Sequence, residues 1–107
     1  MSHTLYVTSR ARRDISVIMR YIAERSKRGA ESWYRKLSQT LDSIAAMPES
    51  FGLAPEDEDH DDTIRQAIFK TRKGLPYRAI FLVRDSRVFV VNVRGSGQEK
   101  LDQLQLP

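Results

Sequence analysis

No cysteine occurs in the chain, so neither a disulfide framework nor a thiolate zinc site is available and thiol chemistry is excluded. Histidine is nearly absent too: only His3 and His60 could serve as ordinary proton acceptors near neutral pH. No apolar run approaches the roughly 18 residues of a membrane span. The start, Met1 to Val7, lacks the charged and then apolar pattern of a secretory leader, so the expectation is a soluble, cytoplasmic protein. The chain has 107 residues, enough for one modest core, and it is read as a single domain over 1–107.

Charge is plentiful but unevenly placed. Eighteen Lys and Arg stand against fourteen Asp and Glu, a net of +4. Six of those acids (Glu56, Asp57, Glu58, Asp59, Asp61 and Asp62) fall in one short run, so the rest of the chain is strongly basic. Such a surface favours an anionic partner, either nucleic acid or an acidic protein segment.

The chain is organised around Ile64 to Arg94. β-Branched and aromatic residues run over Ile64–Lys70, Tyr77–Arg84 and Arg87–Arg94, broken by Gly74-Leu75-Pro76 and by Asp85-Ser86. This punctuation predicts three antiparallel strands joined as hairpins. Arg78, Arg84 and Arg94 interleave with Ala79, Phe81, Val83 and Val93, while Arg65 and Lys70 flank the first strand. Period 2 therefore places cations on or around a sheet. Apolar residues fall at both parities of the second strand, so either face is open to the helices.

Ahead of the strands, Leu5 to Thr8 reads as a first strand and Ser9 as a helix cap. Ala11, Ile15, Ile18, Met19, Ile22 and Ala23 then recur at helical spacing, with Gly29 as the stop. A second helix from Ala30 carries Trp33, Leu37, Leu41, Ile44 and Ala45 and ends at Pro48. So short a connection predicts an antiparallel helical hairpin. The fold class expected is α+β: strand, two-helix hairpin, three-stranded meander. Trp33, the largest side chain, is read first as core. Arg10, Arg12 and Arg13 open the first helix at the positive end of its dipole, where local structure gives them no reason to be.

Pro48 to Thr63 reads as a loop in which Phe51 and Leu53 tuck against the helices, with a flexible acidic stretch over about 54–63. Its carboxylates and His60 lack the alternating spacing and turn glycine of a calcium loop, so no metal and no cofactor are assigned. The acidic stretch is read as a solubilising loop or as one lying across the basic sheet. Gly95-Ser96-Gly97 is a weak anion-binding signal, and the tail over about 98–107 holds Leu101 and Leu104 at the spacing of a short helical turn.

The motifs Ser9-Arg10-Ala11-Arg12-Arg13-Asp14-Ile15, Tyr21-Ile22-Ala23-Glu24, Met47-Pro48-Glu49-Ser50-Phe51-Gly52, Tyr77 to Val83 and Val91-Asn92-Val93-Arg94, in that order, resemble the RelE/ParE toxin superfamily of bacterial toxin–antitoxin modules. The resemblance spans Leu5 to about Gln98. It implies a plasmid-stabilisation toxin that arrests growth and is neutralised by a cognate antitoxin, as a homodimer or a toxin–antitoxin hetero-oligomer. ParE-like members block DNA gyrase, whereas RelE-like members cleave messenger RNA on the ribosome. The paired helices, with Tyr21, Trp33 and Tyr34 as candidate antitoxin contacts, look more like the ParE branch. Arg65, Lys70, Arg72, Lys73, Arg78 and Arg94 are the candidate target-binding cations. Were the chain a nuclease, Arg65, Lys70, Arg78 and Arg94 would be its catalytic set, with Lys70 or Lys73 moving the proton. No tyrosine or histidine follows Tyr77, so the catalytic position usual in many RelE-like chains is empty. A non-toxic basic adaptor is the third reading.

Overall fold

The computed structural model describes residues 3–107; Met1 and Ser2, counted above in the domain and its N-terminus, lie outside the described residues. Strand β1 (Thr4–Val7) leads into helices α1 (Ser9–Arg25) and α2 (Lys27–Ala46). Two 3-10 turns follow (Pro48–Ser50 and Pro55–Asp59), then strands β2 (Arg65–Phe69), β3 (Tyr77–Arg84) and β4 (Arg87–Gly95). The fold is α+β, as expected. The last three strands form an antiparallel meander, and β1 adds to β4 in parallel, giving the order β1-β4-β3-β2.

The helix ends differ from the sequence reading by a few residues. Thr8, not Ser9, caps α1, its hydroxyl accepting from the Ala11 amide. Ser26, not Gly29, separates the helices: extended backbone at φ −161° breaks the helical run there. The Ser26 amide donates to Ile22 O, closing α1, while its hydroxyl accepts from the Gly29 amide, opening α2. One serine thus satisfies groups at both helix ends. Gly29 sits in the first turn of α2, where a Cβ would come within 3.2 Å of the Ser26 side chain. Arg12 and Ile15 of α1 line the same small hollow as Leu37 and Leu41 of α2, as an antiparallel hairpin requires.

The hairpin covers one face of the sheet. Ala11, Trp33, Leu37 and Ile44 pack there against Ala67, Phe69, Ala79, Phe81, Val88, Val90 and Val93. On the other face Ile64, Ile80, Leu82 and Val91 meet Ala54 and Leu104, with Phe89, Leu101 and Leu106 alongside. Both parities of β3 are buried because both faces are covered. A bulge explains the change of pattern along β4: Ile80 pairs with Asn92 and Phe81 with Val90, leaving Val91 as the extra residue. Val88 and Val90 therefore join Val93 on the helix face while Val91 joins the second core.

The loop before β2 also departs from expectation. Phe51 does pack inward, edge-on to Phe81, but Leu53 stays more than half exposed. The backbone from Gly52 to Ala54 pairs with the β2 edge, so neighbouring side chains alternate and Ala54 is the one turned inward. The tail forms no helical turn. Its Leu101 and Leu104 amides donate instead to Glu56 Oε2 (2.9 Å) and His60 Nε2 (3.4 Å).

Candidate functional site

Helix α1 and the end of β4 enclose the first of two open clefts, of about 780 Å³. Arg10, Arg13, Val17 and Tyr21 recur at three and four residues, so one stripe of the helix lines it. Arg94 and Gln98 face that stripe. β1 pairs only as far as Val90, so the last residues of β4 lie on an edge that α1 side chains must satisfy. Asp14 does this, accepting from the Val93 amide (3.0 Å) and Asn92 Nδ2 (2.9 Å) while also receiving Arg10 Nε at 3.3 Å. Gln98 Oε1 caps the next outward amide, that of Gly95, at 2.9 Å. Arg94 pairs with no carboxylate among the described residues, and its Nε is buried without a hydrogen-bond partner.

The second cleft, about 620 Å³, lies between the helical elbow and the β2–β3 connection. Arg28 comes from α2 and Arg72 and Lys73 from the connection, with Trp33 among the lining residues. Tyr21, Leu75 and Tyr77 belong to both clefts, which makes them one groove with Tyr21 at its middle. Leu75 is 78 % exposed and Tyr21 54 %, an apolar lip beside the cations. The groove gathers six cations (Arg10, Arg13, Arg94, Arg28, Arg72 and Lys73) and one carboxylate, Asp14. Burial raises the Tyr77 phenol above its ordinary value and neighbouring Tyr21 adds to this, so Tyr77 keeps its proton and is a poor base.

Three of the cations expected at a site, Arg94, Arg72 and Lys73, are brought to the groove. The other three are not. Arg65 is half-buried and donates to the Phe51 carbonyl at 2.7 Å. Lys70 is exposed but lines neither cleft. Arg78 is 3 % exposed and holds the fully buried Glu56 with two bonds of 2.7 and 2.6 Å, so it presents no free charge to a partner. Tyr21 and Tyr34 are half exposed, but Trp33 is core at 2 % and offers a partner almost no surface. Tyr34 lies apart from the groove, in the small hollow with Arg12.

Sequence reasoning left Arg10, Arg13, Arg28, Leu75 and Tyr77 out of the groove and did not find Glu56 as the partner of Arg78. For Arg10 and Arg13 a signal existed in the unexplained cationic start of α1 and its three-and-four continuation to Tyr21. For Glu56 none did, because its partners Arg78 and Leu101 are 22 and 45 residues away.

The acidic stretch and the tail meet across the second sheet face. Burial alone would raise the Glu56 carboxyl, but hydrogen bonds from Arg78 and the Leu101 amide outweigh it and hold it at about 2. Asp57 accepts from the Ile64 amide, and Asp62 pairs with Arg84 at 2.9 Å and is lowered by it. Lys100 bridges Asp59 at 2.7 Å and also meets Glu58; both carboxylates raise its ammonium. Among the described residues no group of three His, Cys, Asp or Glu side chains could hold a metal ion.

A helical hairpin on a four-stranded mixed sheet is the α+β architecture expected of a RelE/ParE-like chain. The chain belongs, over residues 5–99, to the family described as the ParE toxin of the type II toxin–antitoxin system, parDE. It is the toxin component of such a module, and a cognate antitoxin is its partner by membership. No curated protein matches the chain. No helix among the described residues is long and apolar enough to cross a membrane.

Proposed function

We propose that the chain arrests growth by binding DNA gyrase and blocking it, that the cognate antitoxin neutralises it, and that the pair serves plasmid stabilisation. The groove is the observation that carries this reading: six cations, one carboxylate and a half-exposed tyrosine suit a protein surface engaged with DNA. Bond cleavage needs more than positive charge. A ribonuclease acting through the attacking 2′-hydroxyl needs an acceptor for that proton within about 3 Å. The two histidines line neither cleft, and His60 is engaged with the Glu56 carbonyl and the Leu104 amide. Tyr77 holds its proton. Asp14 is committed to the Val93 amide, Asn92 and Arg10. That leaves Lys73 as the remaining candidate among the described groove residues, and this favours binding over phosphoryl transfer. For the antitoxin, the half-exposed Tyr21 and Tyr34 on the hairpin are the anchors we favour, with Trp33 acting from beneath.

Brief induction in bacteria, with DNA and protein synthesis followed separately by pulse labelling, tests the reading. The expected result is an early halt in DNA synthesis, together with inhibition of supercoiling by purified gyrase. An early halt in translation with cut messages would establish the RelE-like alternative. Uninterrupted growth would overturn this reading in favour of the non-toxic adaptor.

A further inference from the structure

Arg78 and Arg94 stand directly opposite one another on β3 and β4. Like charges at such a position repel, yet the chain puts two arginines there. The repulsion is resolved from outside the sheet: Glu56, 0 % exposed, takes the Arg78 guanidinium through both carboxylate oxygens. Only then can Arg94 sit at the cleft with its charge uncommitted. The same carboxylate has a second task. Glu56 Oε2 accepts the Leu101 amide, three residues beyond Gln98, whose side chain caps Gly95 at the mouth of the cleft. Lys100 reaches Asp59 and Glu58, and His60 meets the Leu104 amide, so the tail is fastened to the acidic stretch on both sides of Leu101.

We propose that Glu56 is a positioning residue: by pinning Arg78 on β3 and Leu101 beyond β4 it sets Arg94 and Gln98 at the cleft, which makes the acidic stretch an internal latch. Arg78 then acts through its pairing with Glu56 and touches no target. This consequence for activity rests on the toxin reading above, whereas the latch itself does not.

Two variants separate the possibilities. Glu56→Gln leaves a buried guanidinium without its counter-charge. Glu56→Gln with Arg78→Met removes both charges and keeps an acceptor for Leu101. Three readouts apply: hydrogen exchange of the Leu101 and Leu104 amides, the Arg94 Nε–H resonance, and growth arrest on induction. In Glu56→Gln the two amides should exchange about tenfold faster or more, on the scale of one lost charged hydrogen bond, the Arg94 signal should move, and arrest should be lost. The double variant should restore all three. Unchanged exchange and an unmoved Arg94 signal in Glu56→Gln overturn the latch. A double variant that regains protection and the Arg94 signal but stays harmless overturns the indirect role of Arg78. If the unaltered chain arrests nothing, the toxin reading fails by itself, and exchange and the Arg94 resonance still decide the latch. If Glu56→Gln does not fold, Glu56→Asp, which keeps the charge but shortens its reach, takes its place: faster Leu101 exchange with a moved Arg94 signal upholds the latch, and the absence of both changes overturns it.

Discussion

The two faces of the sheet are held by different physics. Under the helices the core is apolar and aromatic: Trp33 meets Tyr77 edge-on at 5.4 Å and lies 5.7 Å from Phe69, while Phe51 meets Phe81 edge-on. All but Phe51, which follows the first 3-10 turn, arrive there on a helix or strand. On the opposite face a tail without regular structure covers Ile80, Leu82 and Val91, and ion pairs fasten it. A face covered by helices can rely on shape, since an amphipathic helix brings a whole stripe at once. A face covered by a strap needs individually placed polar bonds, because an extended segment satisfies few of its own backbone groups.

The helix-covered face is most vulnerable at its aromatic centre. Trp33→Ala should cost about 3–5 kcal/mol, read as a lower urea midpoint. Leu104→Ala on the strap should fall near the lower end of about 2–5 kcal/mol, because a tail can readjust around a gap more freely than a helix. Equal losses would mean that the strap is packed as rigidly as the helices. Glu56→Gln should approach the cost of breaking a buried pair, about 3–5 kcal/mol, while the charge-free double variant should lie close to the unaltered chain.

Acid sharpens the same contrast. Glu56 is held at about 2 when folded against an ordinary value of 4.5, so its contribution is complete above 4.5 and disappears as pH falls toward 2. That contribution is at most about 3 kcal/mol. Strap amides should lose exchange protection across this window before those of the helix core do. Lys100→Ala should be the mildest strap change, with an effect that added salt abolishes, because its bridges are open to solvent. Replacing Arg13 and Arg94 together by alanine tests the groove: growth arrest should fall sharply, with stability within about 1 kcal/mol of the unaltered chain.

The helix face was readable from residues alone. Ala11, Trp33, Leu37 and Ile44 declare it through helical spacing, and the strand limits follow from Gly74-Leu75-Pro76 and Asp85-Ser86. Asp85 takes a positive φ of 58°, which aspartate tolerates in a two-residue turn. The second face was not readable. The single extra residue at Val91 exchanges the parity of β4, and no local pattern announces a bulge. Nor does a run of carboxylates state its partners: Glu56, Asp62 and Glu58 find theirs 22 to 45 residues away. Arginines on alternate strand positions suggested a shared cationic face, and that logic placed Arg78 correctly on the sheet but could not foresee Glu56 beneath it. Of the groove, Arg94, Arg72 and Lys73 were legible, whereas the sequence reads Tyr21 as an antitoxin contact. The groove's remaining cations come from helix starts that only the folded elbow carries to the same place.

That elbow has a geometric consequence. Ser26 alone separates two helices, and each residue added to a helical path turns it by about 100° and advances it by 1.5 Å. The phase between the α1 stripe of Arg10, Arg13 and Tyr21 and the α2 stripe of Trp33 and Leu37 is therefore indexed by one residue, like two gears keyed to a common shaft. An inserted residue there would let each helix persist yet turn Trp33 out of mesh with the sheet and carry Arg28 away from Arg72 and Lys73.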